Sequence, residues 1–156
     1  MTENKTEKAT LGAGCFWGVE AEFLKVKGVV ETTVGYSGGN SKDPTYKDIC
    51  TGNTGHAEVV QVVFNPDIIS YEKLLGVFWD IHDPTTLNKQ GLDVGTQYRS
   101  VIFFHNKEQE SIARASKEKL EKSGRFLDKI VTEIEMAKEF FIAEEYHQKY
   151  LTKKTI

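Results

Sequence analysis

The segment Ala57–Phe64 constrains the fold of this chain more than any other part of its sequence. It contains Val59, Val60, Val62 and Val63 within eight residues. β-Branched residues at this density are typical of a strand that is covered on both faces. The sequence therefore predicts a sheet in which this segment occupies a central position.

The spacing of apolar residues and the turn residues between them predict the other elements. In chain order these are strand 9–14, helix 15–26, strand 29–36, short helix 46–50, strand 57–64, a helix from the N-cap Ser70 to about 81, loop 82–97, strand 99–104, helix 107–122, strand 130–136 and a last helical turn at 146–151. The order β-α-β-β-α-β is that of the split βαβ or ferredoxin-like plait. We therefore expect an α/β (α+β) two-layer plait with a mixed sheet, helical additions and an irregular C-terminal segment.

Composition and charge narrow the class of protein. A chain of 156 residues with 39% hydrophobic and 28% charged residues is expected to form one domain, 1–156, with 1–7 as a loose N-terminal segment. A net charge of −3 gives no sign of the basic surface that nucleic acid or anionic membranes would require. We find no signal peptide and no apolar run of about 18 residues. We therefore expect a cytoplasmic protein whose two cysteines stay reduced at rest.

The segment GCFWG at 14–18 is the strongest candidate for chemistry. Cys15 lies between a glycine turn and the first residues of a predicted helix, at the positive end of the helix dipole. Backbone N–H groups at that end stabilise a thiolate, which predicts a lowered thiol pKa and a reactive cysteine. The aromatic residues Phe16 and Trp17 would line whatever approaches the sulfur. The alternative is a small buried cysteine in a tight strand-to-helix turn.

Glu58 is the second anomaly, because it interrupts the otherwise apolar strand 57–64. A carboxyl group in such a strand faces solvent, forms an ion pair, or has a raised pKa and carries a proton at neutral pH. A protonated glutamic acid beside a nucleophile acts as a general acid. From the residues alone, an outward-facing glutamate and a buried acid are equally good interpretations.

Other polar residues give weaker signals. Tyr46, Asp93 and Tyr98 lie in or beside the loops that flank these strands, where single polar residues usually serve as surface or capping groups. The four histidines and two cysteines show no spacing typical of metal ligands. We therefore expect no metal site.

Four blocks of sequence, spanning about residues 9–151 in the right order, resemble the peptide methionine sulfoxide reductase A family. They are GCFWG at 14–18, DPTY at 43–46 with CTGNTGHAEV at 50–59, HDPT at 82–85 with GTQYRS at 95–100, and AEEYHQKYL at 143–151. The resemblance implies a ferredoxin-like α/β plait with irregular segments. It also implies a stereospecific reductase for the S epimer of methionine sulfoxide, free or in oxidised proteins.

The resemblance further implies a role for each matching residue. Cys15 would be the nucleophile that attacks the sulfoxide sulfur, and Glu58 would donate a proton to the sulfoxide oxygen. Tyr46 and Tyr98 would donate hydrogen bonds to that oxygen, with Asp93 in the surrounding polar network. One buried acid and two phenols would polarise a poor leaving group in a site of low dielectric constant.

By the same resemblance, Phe16 and Trp17 would hold the S-methyl group of the substrate. Aromatic rings suit a thioether methyl through packing and sulfur–aromatic contacts. No bound cofactor is expected. After oxygen transfer Cys15 would carry a sulfenic acid, which condenses readily with another thiol.

Recycling of that sulfenic acid is where the sequence departs from the commoner family pattern. Many members carry one or two resolving cysteines towards the C-terminus, and residues 149–156 contain none. We therefore expect a one-cysteine enzyme reduced by an external thiol, either thioredoxin or glutaredoxin with glutathione. Cys50 is the possible internal resolving residue, although we interpret it as a buried core thiol. His147 is expected to form a hydrogen bond that ties the C-terminal segment to the body of the protein.

Two other functions compete with this interpretation. A non-enzymatic redox sensor would use Cys15 but would need no general acid. A cysteine acyl-transfer enzyme would need a histidine base beside Cys15, and no histidine has a local sequence signature for that role.

Overall fold

The computed structural model describes residues 5–151, with eight strands and four helices in that part of the chain. The strands are β1 (Glu7–Ala13), β2 (Val29–Ser37), β3 (Ala57–Phe64), β4 (Lys89–Gln90), β5 (Asp93–Val94), β6 (Ser100–Phe104), β7 (Glu133–Met136) and β8 (Phe140–Ile142). The helices are α1 (Phe16–Leu24), α2 (Tyr46–Cys50), α3 (Tyr71–Asp80) and α4 (Lys107–Lys122), with 3-10 turns at Thr96–Tyr98 and Glu145–His147.

Six of the strands form one sheet in the order β7-β6-β1-β3-β2-β8. β3 pairs antiparallel with β1 on one side and with β2 on the other, so the valine-rich segment is central, as its composition predicts. Helix α1 connects β1 to β2 across β3, which is the split βαβ arrangement of the ferredoxin-like plait. β7 joins β6 in parallel and makes the sheet mixed. The predicted fold class is confirmed.

Side chains that alternate along β3 divide the core into two parts. Val60 and Val62 are fully buried in the main core, which includes residues of α1, α3 and α4. Ala57 and Val59 face the other way and pack in a second cluster with residues of β6. Glu58 has the parity of Val60 and Val62, so its side chain belongs to the helix-covered face.

Several predicted elements have the bounds that the structure shows. The helices at 46–50 and 107–122 and the strand at 57–64 agree residue for residue. The predicted N-cap of α3 is also present, since the Ser70 hydroxyl accepts a hydrogen bond from the Lys73 N–H at 3.1 Å. These elements follow from patterns that act over a few residues of sequence.

Other elements differ from the prediction because tertiary contacts decide them. β1 begins at Glu7, inside the segment expected to be loose, because Glu7 pairs with Phe64 of β3; residues 1–4 lie outside the described part. β7 begins at Glu133 rather than at residue 130, since the Val131 N–H donates to the Pro84 carbonyl instead of to the sheet. The predicted loop 82–97 contains the β4–β5 hairpin and the first two residues of the 3-10 turn Thr96–Tyr98. No sequence pattern predicts β8, which is held by its pairing with β2.

Gly35 of β2 is where β8 docks. A Cβ atom at this position would overlap the carbonyl oxygen of Phe141 and lie 2.7 Å from the ring of Phe140. Gly35→Ala is therefore expected to displace β8 and to lower the free energy of unfolding by about 1–3 kcal/mol, measured by urea denaturation. Gly76→Ala in α3 is the matched control, because nothing lies within 4 Å of its added Cβ and alanine favours a helix by about 1 kcal/mol. Wild-type stability of Gly35→Ala would contradict this account.

Candidate active site

The candidate site lies where the chain leaves β1 and enters α1. Gly14 forms this turn with a φ of +101°, and a Cβ there would lie 2.8 Å from the Gln90 side chain of β4. Glycine alone meets both conditions without strain. Cys15 follows as the N-cap of α1 and is half-buried, with a free thiol. Two backbone N–H groups of the first helical turn, those of Trp17 and Gly18, face its sulfur.

The pKa of the Cys15 thiol is raised to about 11, opposite to the direction that the helix dipole predicts. Burial is the largest cause, and the nearby carboxyl groups of Glu58 and Asp93 raise it further when they are ionised. The N–H groups of Trp17 and Gly18 lower the pKa, but their effect is smaller than that of burial. The predicted lowering is therefore wrong for the resting site, where the thiol keeps its proton at neutral pH.

Glu58 has 1% of its surface exposed, which excludes the outward-facing interpretation. Its place on the helix-covered face of β3 brings the carboxyl group to the N-terminus of α1, where the Phe16 N–H donates to Oε1 at 3.2 Å. The second oxygen, Oε2, has no hydrogen-bond partner among the described residues. Burial raises the pKa of Glu58 to about 8, although the Phe16 N–H acts in the opposite direction. At neutral pH this carboxyl group is therefore mostly protonated.

Tyr46 and Tyr98 bring two phenols to the same centre. Tyr46 is the first residue of α2, and Tyr98 is the last residue of a 3-10 turn. Burial raises the pKa of both, to about 12 for Tyr98, and negative charge on Glu58 is the second cause for each. Asp93, an exposed residue of β5, and Cys15 also raise the pKa of Tyr98. The structure therefore brings all five polar residues singled out in the sequence into one electrostatic environment.

Aromatic rings adjoin this centre. They belong to Phe16, Trp17, Tyr46, His147 and Tyr150. Trp17 stacks on Tyr150, with ring centroids 3.9 Å apart, and its indole N–H donates to Nδ1 of His147 at 2.8 Å. The His147 ring lies 5.2 Å from that of Phe16 and 4.5 Å from that of Tyr46. The hydrogen bond predicted for His147 is thus confirmed, with Trp17 as its partner.

Glu144 is a site residue that the sequence analysis does not single out. Its Oε2 accepts a hydrogen bond from the Tyr46 N–H at 3.0 Å, and its Oε1 accepts one from the buried Tyr36 hydroxyl at 2.9 Å. Glu144 therefore fixes the start of α2, and with it the Tyr46 phenol. No local pattern distinguishes Glu144 from the exposed Glu145 next to it, so this role is visible only in the folded chain.

Cys50 is exposed, so its interpretation as a buried core thiol is wrong. The buried residue of the five-residue helix α2 is the neighbouring Ile49. Besides burial and Glu58, a hydrogen bond with Cys50 contributes to the raised pKa of Tyr46. The Cys50 thiol therefore lies beside the Tyr46 hydroxyl, one helical turn along α2.

This arrangement suits proton-coupled chemistry at sulfur. A protonated carboxyl group and two phenols around a thiol can polarise and protonate a substrate oxygen while the sulfur attacks. Within residues 5–151, no three histidine, cysteine or acidic side chains are grouped so that they could hold a metal ion. In the same range no helix is long and apolar enough to cross a membrane.

Comparison with known proteins identifies the family. A family model described as Peptide methionine sulfoxide reductase matches residues 7–156. The chain belongs to this family. Peptide methionine sulfoxide reductase MsrA of Methanothermobacter thermautotrophicus is 64% identical over 153 residues, which cover 98% of this chain and 90% of that relative. The resemblance seen in the four sequence blocks is therefore confirmed, and so is the class of enzyme, an oxidoreductase.

Solved structures of methionine sulfoxide reductases share the fold. Mxr1 from Saccharomyces cerevisiae in reduced form has a TM-score of 0.88 and 42% identity, over 99% of this chain and 88% of that one. Mxr1 in complex with Trx2 has a TM-score of 0.63 and 32% identity, over 96% of this chain and 87% of that one. The ferredoxin-like plait described above is therefore the fold of the family.

The raised pKa of Glu58 predicts how the stability of this reductase depends on pH. An unfolded glutamic acid loses its proton near pH 4.5, whereas folded Glu58 keeps its proton up to about pH 8. The folded state binds more protons in this interval, so Glu58 makes the free energy of unfolding fall as the pH rises through it, and has no further effect above it. In Glu58→Gln the side chain at this position has no proton to lose. The free energy of unfolding of this variant, relative to that of the wild type, is therefore expected to rise by a few kcal/mol across the interval. Urea denaturation at about pH 5, 7 and 9 measures this difference, and a difference that stays constant would contradict the raised pKa.

Proposed function

We propose that this chain is a single-domain reductase that converts the S epimer of methionine sulfoxide, free or in proteins, to methionine through a sulfenic acid on Cys15. The observation that supports this most strongly is Glu58. Its buried carboxyl group keeps a proton at neutral pH and has one oxygen without a hydrogen-bond partner in the described part of the chain. A sulfoxide oxygen leaves only after it is protonated or strongly hydrogen-bonded, and Glu58 is suited to supply that proton.

In the proposed step the Cys15 sulfur attacks the sulfoxide sulfur while Glu58 donates its proton to the oxygen. The attack forms a bond between the two sulfur atoms, and the sulfur–oxygen bond of the substrate breaks. The protonated oxygen then bonds to the Cys15 sulfur while the sulfur–sulfur bond breaks and its electron pair returns to the thioether, so that one thiol and one sulfoxide give one sulfenic acid and one thioether. The thiol proton replaces the proton that Glu58 gives up, and the step balances. Tyr46 and Tyr98 have raised pKa values, so they keep their hydroxyl protons and donate hydrogen bonds to the oxygen.

The raised pKa of the Cys15 thiol fits this sequence of events. Burial opposes a thiolate in the resting site, and negative charge on Glu58 would oppose it further. While Glu58 holds its proton, that second effect is absent. The N–H groups of Trp17 and Gly18 then stabilise the negative charge that develops on sulfur during the attack. The resting thiol stays protonated and is slow to react with other oxidants.

Two separate contacts would select the S epimer. The sulfoxide oxygen is directed to Glu58 and the tyrosine hydroxyls, while the S-methyl group packs on Phe16, which is buried, and Trp17, which is half-buried. With the oxygen and the methyl group both placed, only one epimer presents its sulfur to Cys15 and leaves the rest of the methionine towards solvent. The other epimer would have to exchange the methyl group and the longer substituent.

We propose that an external thiol reduces the sulfenic acid and that no cofactor is bound. These 156 residues contain one cysteine besides Cys15, and that cysteine is the exposed Cys50 beside Tyr46. The structure of the similar protein Mxr1 in complex with Trx2 supports thioredoxin as the reductant, with glutaredoxin and glutathione as the alternative. A cytoplasmic location stays a prediction.

A non-enzymatic redox sensor is the competing function. A sensor would need neither a buried acid nor two phenols beside its thiol, so these groups favour the reductase. Acyl transfer is a weaker competitor, because it needs a histidine base. The chain has four histidines, and each has at least one ring nitrogen in a hydrogen bond with a group other than Cys15.

Single-turnover methionine release tests the proposed reaction. Reduced protein is mixed with each sulfoxide epimer in the absence of reductant, and its intact mass is then measured. The S epimer is expected to yield about one equivalent of methionine, with one oxygen atom gained by the protein. Cys15→Ser should release none, and Glu58→Gln should be slower by about 10²–10⁴-fold. Release from neither epimer would overturn the proposal and favour the redox sensor.

Cys50→Ser tests how the enzyme is recycled. If an external thiol reduces Cys15 directly, this variant should turn over at the wild-type rate with thioredoxin or glutaredoxin. The wild type should then carry a sulfenic acid, not an internal disulfide, after a single turnover. A variant that stops after one turnover would instead make Cys50 the resolving residue.

A further inference from the structure

Among the described residues, His147 is a fully buried polar side chain that the proposed reaction leaves without a role. Its side chain is inaccessible to solvent, with 0% exposed. Its ring lies among those of Phe16, Trp17, Tyr46 and Tyr146, at centroid distances between 3.9 and 5.5 Å. The position therefore connects the residues expected to hold the S-methyl group with one of the phenols expected to bind the oxygen.

The hydrogen bond with Trp17 determines the protonation state of this ring. An indole nitrogen can only donate, so Nδ1 of His147 must accept and the single ring proton must sit on Nε2. Burial lowers the pKa of His147, although the nearby Glu144 carboxylate acts in the opposite direction. The ring is therefore neutral at neutral pH, and Nδ1 remains available to Trp17.

The other ring nitrogen shows that this arrangement does not serve stability alone. Nε2 is buried and has no hydrogen-bond partner in the described residues. An unpaired buried N–H group destabilises the folded state, and a carbon ring of the same shape would avoid that cost. A histidine at this position therefore offers one thing that phenylalanine does not, an acceptor for the Trp17 indole.

The main chain of His147 is anchored independently of its ring. The Gln148 side chain donates to the Val34 carbonyl and accepts from the Val34 N–H, both at 2.9 Å. The Lys149 N–H donates to the buried carboxylate of Glu20 at 2.6 Å. These bonds hold the segment around residue 147 against β2 and α1, so the ring nitrogen is a fixed point.

Two contacts of different kinds then orient the Trp17 indole. Stacking on Tyr150, with an angle of 14° between the rings, fixes the plane of the indole but leaves it free to rotate within that plane. The hydrogen bond to Nδ1 of His147 removes this rotation, because the donor and acceptor must stay aligned.

We propose that His147 is a positioning residue for sulfoxide binding: its Nδ1 holds the Trp17 indole at the angle at which it packs on the S-methyl group. This inference rests on the proposed function. His147 does not touch the reacting atoms in this role, so its loss weakens binding of the sulfoxide far more than it slows oxygen transfer once the sulfoxide is bound.

Two substitutions separate the acceptor from the ring. His147→Asn keeps an acceptor, because its Oδ1 lies close to the position of Nδ1, but loses the aromatic ring. His147→Phe keeps the ring and loses the acceptor. A structural role predicts that binding and stability change in the same order, with His147→Phe closer to the wild type in both. The positioning role predicts opposite orders: His147→Phe is the more stable variant and His147→Asn the better binder.

The measurement is single-turnover methionine release as a function of the concentration of the free S epimer. For His147→Phe the half-saturating concentration is expected to rise about 10-fold, which corresponds to the loss of one well-placed hydrogen bond, with the maximal rate nearly unchanged. For His147→Asn it should stay near the wild-type value. Thermal unfolding gives the order of stability of the variants. Because the chain has two tryptophans, the fluorescence of variants made in a Trp79→Phe background reports on Trp17 alone.

Ser116→Ala is the matched control. It removes the other indole hydrogen bond, that of Trp79 to the Ser116 hydroxyl at 2.8 Å between α3 and α4, and should leave half-saturation unchanged. Equal half-saturation for His147→Phe and the wild type, or equal losses for His147→Phe and His147→Asn, would overturn the inference while the proposed function stands. A wild-type protein that reduces neither epimer would overturn both.

Discussion

The hydrogen bond from the Phe16 N–H to Oε1 of Glu58 is the interaction on which the candidate site depends. It joins the central strand of the sheet to the first turn of α1. Because Cys15 directly precedes Phe16 in the chain, the same bond brings the acid and the thiol together. The alternation of side chains along β3 places Glu58 on the helix-covered face, so the acid cannot turn to solvent without disrupting the strand.

Neutrality is the common property of the Cys15 thiol, the Glu58 carboxyl group and the two phenols of the site. Burial raises the pKa of the Cys15 thiol, the Glu58 carboxyl and the phenols of Tyr46 and Tyr98, so each of them holds a proton at neutral pH. A site of this kind is rich in hydrogen-bond donors and carries little charge. It therefore favours a neutral, strongly dipolar substrate such as a sulfoxide over an anion or a cation.

Prediction from sequence succeeded where a few neighbouring residues decide the structure. The valines of β3 act locally, and so does the capping box of Thr45 that the structure shows at the start of α2. The predicted bounds of both elements are the observed ones. β8 depends on pairing with β2, and the Glu144 side chain is held by a hydrogen bond from the Tyr36 hydroxyl of that strand. No local pattern reports either interaction. The predicted direction of the Cys15 pKa shift is wrong because the helix dipole is only one contribution, and burial reverses it.

The segment 143–151 has a consequence for how the enzyme is made. It follows the sheet strands in the chain, yet it supplies Glu144, His147 and Tyr150 to the site. During synthesis the central strands emerge from the ribosome first and can pair before this segment exists. A nascent chain then has its sheet and its thiol in place while the surface around Trp17 is still unfinished. The surface around Trp17 is therefore completed later in synthesis than the sheet and the thiol that it serves.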